Sequence, residues 1–281
     1  MDTSQLLKTV SFIEMGARER AFALLDPGSG HELIGPFERM KSPWLEPQGI
    51  AAQADDGVVV AKGSIGGQPA VVLAIEGSFQ GGSLGEVGGA KIAGSLELAA
   101  EDNRRGVPTR AVLLLETGGV RLQEANLGLA AIAEIHAAIA DLRRHQPVVA
   151  VVAGTVGCFG GMSGAAALCS YLVVTREARV GLNGPQVIEQ EAGIEEYDSR
   201  DRPFIWSLSG GEQRFRTGLA DRYVEDDAAG IAATVRELFA QGVPAQHRDQ
   251  RIGEFLDLLA RVDTARQPDG AYARAAFGKG N

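Results

Sequence analysis

The sequence predicts an α/β fold in which buried strands alternate with helices. Short apolar runs typical of buried strands occur at 111–115, 148–153 and 171–175, with helical segments between them. Glycine-rich loops follow the first two runs, and 37 of the 281 residues are glycine, about twice the usual share of roughly 7%. A repeated order of strand, glycine loop and helix is typical of layered α/β proteins.

The remaining elements can be assigned in chain order. The N-terminal segment 1–55 is rich in Pro and Gly and is expected to be irregular apart from a helix at 15–25. The apolar runs 57–63 and 69–75 predict a hairpin or two neighbouring strands. The loop 77–89 opens into the first of a series of predicted helices at 90–103, 122–144, 161–169, 229–241 and 252–262.

Two further segments complete the predicted organisation. Residues 189–202 are densely charged and are expected to be mobile, and the tail after Gln267 is expected to be disordered or to reach a partner. Since no repeat or linker is apparent, we expect a single domain over 1–281, with a helical C-terminal segment at 228–281.

Composition excludes several classes of function. The chain carries 27 basic and 36 acidic residues, a net charge of −9, and no Lys/Arg run longer than two, so a nucleic-acid-binding surface is not expected. The charge-free stretch from Gln146 to Thr175 contains Pro147 and five glycines, which favours strand, loop and helix over a membrane span. Cys158 and Cys169 form no metal or redox motif. Without a signal-peptide pattern, a cytoplasmic location is expected.

The first glycine loop, GGSLG at 81–85, matches the G-x-S-x-G pattern of serine hydrolases. Such an enzyme needs a histidine beside the serine, but His136 and His145 fall on a predicted helix, and His247 lies among charged residues. A turn with Ser83 at a helix start is favoured, and a serine hydrolase or thioesterase that uses Ser83 remains an alternative.

The second and third glycine loops share one arrangement. Gly118 and Gly119 follow one predicted buried strand, Gly160 and Gly161 follow the next, and a helix begins after each pair. The backbone N–H groups at such helix starts are unpaired donors, and the helix dipole reinforces them. Two such turns in successive units can converge on one anion and stabilise an oxyanion.

These loops resemble the crotonase superfamily, and within it the carboxyltransferase subunits of acyl-CoA carboxylases. The N-terminal run at 11–37 is similar, more particularly, to the β subunits of malonate decarboxylases. The segments that carry the resemblance are FQGGSLGEVGGAKI at 79–92, ETGGVRLQEA at 116–125, GTVGCFGGMSGAAALCSYLVVT at 154–175, ARVGLNGPQVIEQ at 178–190 and TGLADRYVEDD at 217–227.

The resemblance implies a crotonase-like fold of stacked ββα units with buried sheets. It implies decarboxylation of a malonyl thioester to an acetyl thioester and CO2, through an enolate held in a backbone oxyanion hole. The donors it implies are Val120, flanked by Gly118 and Gly119, and Gly161, flanked by Gly160 and Met162. A zinc ribbon found in some relatives is absent, and Gly164 stands where hydratases have a glutamate, which argues against hydration.

The resemblance also implies partners and a carrier. A homologous γ subunit would form a heterodimer with this chain and share the active site. An acyl-carrier subunit, loaded by an acyl-carrier transferase, would present the substrate on a phosphoribosyl-dephospho-CoA arm, so that no cofactor is attached to this chain and no metal is used. The candidate arm- or substrate-binding residues are Gly81, Gly82, Ser83, Lys91 and Arg121, beside Lys62, Arg104 and Arg105.

Alternatives to these assignments stay open. Solvated surface charges explain the basic residues equally well, and an ordinary surface pair with Glu124 is the favoured interpretation of Arg121. The chain could also be the carboxyltransferase subunit of a biotin-dependent acyl-CoA carboxylase, or a non-catalytic scaffold in a larger complex.

Overall fold

The computed structural model describes residues 9–263, 265–266 and 269–278. Its centre is a seven-stranded sheet whose strands lie side by side in chain order. The first three strands pair antiparallel, and the third to the seventh pair parallel. The strands are β1 (His31–Leu33), β2 (Val58–Ile65), β3 (Gln68–Ile75), β4 (Arg110–Leu114), β5 (Val148–Val152), β6 (Tyr171–Thr175) and β7 (Arg222–Val224).

Helices cover both faces of this sheet. The α-helices are α1 (Ala17–Leu24), α2 (Glu86–Arg104), α3 (Asn126–Leu142), α4 (Gly161–Leu168), α5 (Pro185–Ala192), α6 (Arg202–Ser209), α7 (Gly211–Arg216), α8 (Ala228–Gln241), α9 (Ile252–Leu259) and α10 (Gly270–Phe277). Alternate strand residues point to opposite faces: Leu113 packs with α2, α3 and α4, whereas Val112 packs with α1 and α8. The predicted α/β class is confirmed.

The two apolar runs that predicted a hairpin or neighbouring strands form a hairpin. β2 and β3 pair from Val58 with Ile75 to Ile65 with Gln68. The connection is Gly66-Gly67 with φ of 61° and 73°, the left-handed backbone that a two-residue hairpin turn needs. Asp26 accepts both turn N–H groups.

Several predicted boundaries shift in the structure. α2 begins at Glu86 rather than at residue 90, and the helix predicted over 122–144 is a short 3-10 turn at Leu122–Glu124 followed by α3. The charged segment 189–202 holds the end of α5 and the start of α6. In the tail, Gln267 lies outside the described residues, and α10 follows.

A second, shorter ladder lies at the carboxyl ends of the central strands. Isolated parallel bridges join Leu84 to Val120, Thr117 to Cys158, and Cys158 to Val180. Each repeat therefore consists of a long strand, a short bridging segment and a helix, which is the ββα unit that the resemblance implies. This ladder brings the three glycine loops together on one side of the sheet.

Three observations bear on the excluded classes. Across the described ranges, no helix is both long and apolar enough to cross a membrane. Cys158 and Cys169 are buried free thiols, and burial raises the pKa of Cys169 to about 12. Among all the residues that the structure describes, no group of three His, Cys, Asp or Glu side chains is placed to hold a metal ion.

Candidate active site

The second and third glycine loops lie directly against each other. A β-carbon added to Gly160 would lie 3.3 Å from the α-carbon of Gly119 and 3.9 Å from the nitrogen of Val120. Both glycines have positive φ, 105° at Gly119 and 60° at Gly160, a conformation that other residues adopt only with strain. The two turns therefore need glycine, both for their backbone conformation and for their close approach.

In the first turn, two of the three predicted N–H groups are used within the fold. Gly118 donates to the carbonyl oxygen of Gly81 at 2.9 Å, and Gly119 donates to the Thr117 hydroxyl at 3.0 Å. The N–H of Val120 has no acceptor among the described residues. Val120 is thus the member of this turn whose donor is open to a ligand.

The second turn has the same pattern. Gly160 donates to the carbonyl oxygen of Leu182 at 2.7 Å, whereas the N–H groups of Gly161 and Met162 have no acceptor in the described part of the chain. They form the first turn of α4, where orphan donors and the helix dipole favour a negative charge.

The geometry suits the stabilisation of an oxyanion. Free donors from Val120 and Gly161 belong to two turns in contact, and fixed backbone donors need no reorganisation when negative charge develops on an oxygen. A β-carbon on Gly161 would lie 2.8 Å from a methyl of Ile132, so α3 packs tightly behind this turn.

The first glycine loop closes over the first turn. Leu84 donates to Gly119 at 2.8 Å, and a β-carbon on Gly82 would lie 1.8 Å from the carbonyl oxygen of Glu116. Ser83 contributes its carbonyl oxygen, which accepts from Arg121 at 2.9 Å. Within the described chain, no histidine bonds the Ser83 hydroxyl, and its backbone is ordinary extended chain with φ −68°. These features do not form a nucleophile elbow.

Arg121 is a buried residue, which corrects the favoured interpretation of a surface pair. Its side chain is 0% exposed and donates to Asp56 at 2.6 Å and Glu124 at 3.0 Å. The guanidinium carbon also lies 5.2 Å from the ring centre of Phe79. Because its charge is neutralised inside the fold, this structure offers no route by which Arg121 contacts a substrate.

The two acids of this buried cluster titrate in opposite directions. Burial raises the pKa of Asp56 even though Arg121 opposes the shift. Burial would also raise the pKa of Glu124, but hydrogen bonds from Ser42, the Glu86 N–H and Arg121 outweigh it and lower that pKa. The cluster ties the irregular N-terminal segment to the loops on either side of the first turn.

Lys91 is also buried, contrary to the interpretation as a solvated charge. It is 4% exposed, its amine donates to the carbonyl oxygens of Asp55 and Val58, and burial lowers its pKa. The other basic candidates pair with acids: Lys62 with Asp102, Arg104 with Asp141, and Arg105 with Glu101. Lys91 therefore presents no free amine to a carrier arm in this structure.

Two charged residues beside the turns were not predicted from the sequence. Glu116 is buried, accepts the Gly154 N–H at 2.6 Å, and has a pKa raised by burial. The guanidinium carbon of Arg179 lies 5.5 Å from the ring centre of Phe159 and 4.7 Å from that of Trp206. The position of Glu116 at a strand end was visible in the sequence, but the packing around Arg179 depends on segments distant in the chain.

Comparison with known proteins assigns the family. The sequence matches the carboxyl transferase domain over residues 14–256. The chain therefore belongs to the carboxyl transferase family. It is similar to a chain of a Pseudomonas malonate decarboxylase hetero-tetramer solved with malonate, at 70% identity and a TM-score of 0.95, covering 98% of this chain and 100% of that one.

Two further proteins are similar to this chain. The malonyl-S-ACP:biotin-protein carboxyltransferase of Malonomonas rubra is 36% identical over 92% of this chain and 84% of its own length. The transcarboxylase 12S structure is 28% identical with a TM-score of 0.68, covering 80% of this chain and 40% of that chain. The predicted resemblance to malonate decarboxylases and carboxyltransferases is confirmed.

Proposed function

We propose that this chain is the β subunit of a malonate decarboxylase and acts on a malonyl thioester. In the reaction, the bond between the carboxylate carbon and the methylene carbon breaks and CO2 leaves. The electron pair moves onto the thioester carbonyl as an enolate, and a proton then adds to the methylene carbon, which yields the acetyl thioester.

One observation carries this proposal: in a chain 70% identical to a Pseudomonas malonate decarboxylase chain, two touching turns present the unpaired N–H groups of Val120 and Gly161. Donors fixed where the enolate oxygen forms lower the barrier, and loss of one such donor typically costs about 3 to 4 kcal/mol. No side-chain nucleophile takes part in this scheme, which agrees with the finding that no histidine of the described chain bonds the Ser83 hydroxyl.

The proposal includes partners. A homologous γ subunit would complete the active site and supply the cation that holds the free carboxylate of the substrate, because Arg121 is occupied inside the fold. An acyl-carrier subunit would deliver the malonyl group on a phosphoribosyl-dephospho-CoA arm after loading by a transferase subunit. A cytoplasmic location for this complex is part of the same proposal.

The Malonomonas relative supports a second candidate function. Its name describes transfer of a carboxyl group from malonyl-S-ACP to a biotin protein, and the same backbone donors would serve that reaction, since it passes through the same enolate. The difference lies in the fate of the carboxyl group, which leaves as CO2 in one case and forms a bond to biotin in the other.

The test is a carbon balance on the complex purified with its natural partners. A malonyl thioester labelled in the free carboxylate should release labelled CO2 and leave an acetyl thioester, and avidin should not inhibit. Transfer of the label to a biotin protein, or inhibition by avidin, would favour the carboxyltransferase instead. Turnover that survives substitution of both glycine turns would favour the scaffold interpretation.

A further inference from the structure

Each free N–H group at the site belongs to a peptide group whose carbonyl oxygen is itself held by a donor. The N–H of Val120 and the carbonyl of Gly119 form one peptide group. That carbonyl accepts the Leu84 N–H at 2.8 Å. Because the peptide is planar, fixing its oxygen also fixes the direction in which the Val120 N–H points.

In the second turn, side chains donate hydrogen bonds to the carbonyl oxygens. The peptide group of the Gly161 N–H has the carbonyl of Gly160, which accepts the Ser163 hydroxyl at 2.7 Å and the Ser163 N–H at 3.1 Å. The next peptide group, which carries the Met162 N–H, has the carbonyl of Gly161. That carbonyl lies 2.8 Å from Nε2 of His136.

The chemistry of this pair identifies a ring nitrogen of His136 that carries a hydrogen. A carbonyl oxygen accepts and cannot donate, so Nε2 of His136 carries the hydrogen. The ring reaches the turn from α3 because α4 has no side chain at Gly164, where a β-carbon would lie 3.1 Å from Cε1 of the imidazole. His136 is thus held against the start of α4 by a hydrogen bond and by close packing.

A donor on a peptide carbonyl does more than anchor it. Hydrogen bonds in a chain polarise one another, so an N–H group becomes a stronger donor when its own carbonyl accepts a hydrogen bond. We propose that His136 and Ser163 are positioning residues, which orient and polarise the two peptide groups of the second turn toward the enolate oxygen. This inference rests on the proposed function.

A role in packing alone makes a different prediction from a role in polarisation. If the His136 bond merely joins α3 to α4 and the Ser163 bond merely closes the first turn of α4, their loss lowers stability and leaves turnover per folded complex unchanged. If they strengthen the oxyanion donors, their loss acts in the transition state, where charge on the oxygen is greatest, so kcat falls while KM stays close to the wild-type value.

The experiment uses the purified complex of the chain with its natural partners and a malonyl thioester as substrate. His136→Leu removes the donor, His136→Gln keeps an N–H donor, and Ser163→Ala removes the hydroxyl. We expect kcat to fall about tenfold in His136→Leu and in Ser163→Ala, less than the 10²- to 10³-fold typical of losing a direct donor. His136→Gln should recover most of the loss.

A spectroscopic readout separates positioning from folding. The carbonyl stretch of an isotope-labelled acetyl thioester, bound to the complex, should lie at lower frequency than in water, because the donors weaken the C=O bond. This shift should shrink in His136→Leu and Ser163→Ala and return in His136→Gln. If His136→Leu fails to assemble, Ser163→Ala carries the test.

Matched controls are His145→Leu, at an exposed position just after α3, and Ser95→Ala, whose hydroxyl bonds a carbonyl inside α2 at 2.6 Å. Both should behave as the wild type. Unchanged kcat and an unchanged carbonyl stretch in His136→Leu and Ser163→Ala would overturn the inference. If the wild-type complex released no CO2, the proposed function would be wrong, and the carbonyl stretch would still test these two residues.

Discussion

Gly119 and Gly160 lie back to back at the junction of the two turns. A β-carbon on Gly119 would lie 3.2 Å from the α-carbon of Gly160, and one on Gly160 would lie 3.3 Å from the α-carbon of Gly119. Neither contact can relax by moving a side chain, because both partners are main-chain atoms. The distance between the free N–H groups of Val120 and Gly161 therefore depends on these two glycines, although neither has a side chain that could contact a substrate.

Substitution of Gly160 should separate activity from stability. Gly160→Ala places a methyl group against the first turn at a φ of 60°, so the turns must move apart. We expect decarboxylation to fall by at least about 10²-fold. The free energy of unfolding should fall by about 1 to 3 kcal/mol, because a φ of 60° with a ψ of −146° is a conformation that almost only glycine adopts.

Gly66→Ala is the control for this substitution. Gly66 has nearly the same φ, 61°, and open space around it, so Gly66→Ala adds a β-carbon at a positive φ while the site is untouched. Urea denaturation should show a loss of stability in both variants, with the greater loss in Gly160→Ala because of its main-chain contacts. Steady-state assays should show lost turnover only in Gly160→Ala. Full turnover in Gly160→Ala would contradict the contact between the turns as a requirement for activity.

Substitution of Ser83 discriminates decarboxylation from serine hydrolysis. The structure uses the Ser83 carbonyl, which accepts from Arg121, and leaves the hydroxyl without a histidine partner in the described chain. We therefore expect Ser83→Ala to keep a kcat/KM close to the wild-type value. A fluorophosphonate probe should not label the wild type; labelling that disappears in Ser83→Ala would instead support the hydrolase.

The fold and the oxyanion turns could be predicted from the sequence because their signals are local. Apolar runs such as Val148–Val152 reveal buried strands directly, and the Gly160-Gly161 pair after such a strand indicates an open turn. Burial of Arg121 could not be predicted, because its partner Asp56 lies 65 residues earlier in the chain. Sequence spacing favoured the nearby Glu124, an i,i+3 pair typical of a surface.

Contacts between segments distant in the chain also explain why the burial of Lys91 and the contact of His136 with Gly161 were not predicted. Lys91 bonds main-chain oxygens of a segment more than 30 residues earlier, and His136 meets Gly161 only after α3 has packed on α4. Short elements such as β1 and β7 were missed because three residues carry too little periodicity to identify a strand.

Glu124 predicts a pH dependence of stability. Its pKa is lower in the folded chain than its ordinary value of about 4.3. The stabilisation by its charge is therefore fully present above that ordinary value and is lost as the pH falls through the folded pKa. At neutral pH, Glu124→Gln should lose about 3 kcal/mol, because a buried ion pair with Arg121 is broken.

The measurement is urea denaturation of the wild type and Glu124→Gln between neutral pH and the acid limit of folding. The difference between the two unfolding free energies should be largest at neutral pH and should shrink as the pH falls below about 4. Glu97→Gln, at an exposed position of α2, should differ little from the wild type at any pH. A difference for Glu124→Gln that grows toward acid would contradict the assigned direction of the pKa.

Two exposed leucines beside the turns mark the expected contact with the second subunit. Leu122 follows the free Val120 N–H by two residues and is 82% exposed, and Leu182, whose carbonyl accepts from Gly160, is 72% exposed. Large apolar side chains exposed beside a site are typical of an interface with another protein. We expect Leu122→Asp and Leu182→Asp to weaken association with the second subunit, because the interface would bury a charge.

The direct test is to purify this chain alone, then with the second subunit, and to assay malonyl thioester decarboxylation in both. The chain alone should be inactive, since the proposed site is completed by the second subunit and Arg121 of this chain is held by Asp56. Addition of the second subunit should restore turnover, less so for Leu122→Asp and Leu182→Asp. Leu98→Asp, at an equally apolar and 69% exposed position on α2, should assemble and turn over as the wild type does. Full turnover by the isolated chain would show that one subunit holds the whole site, and the shared-site proposal would then be wrong.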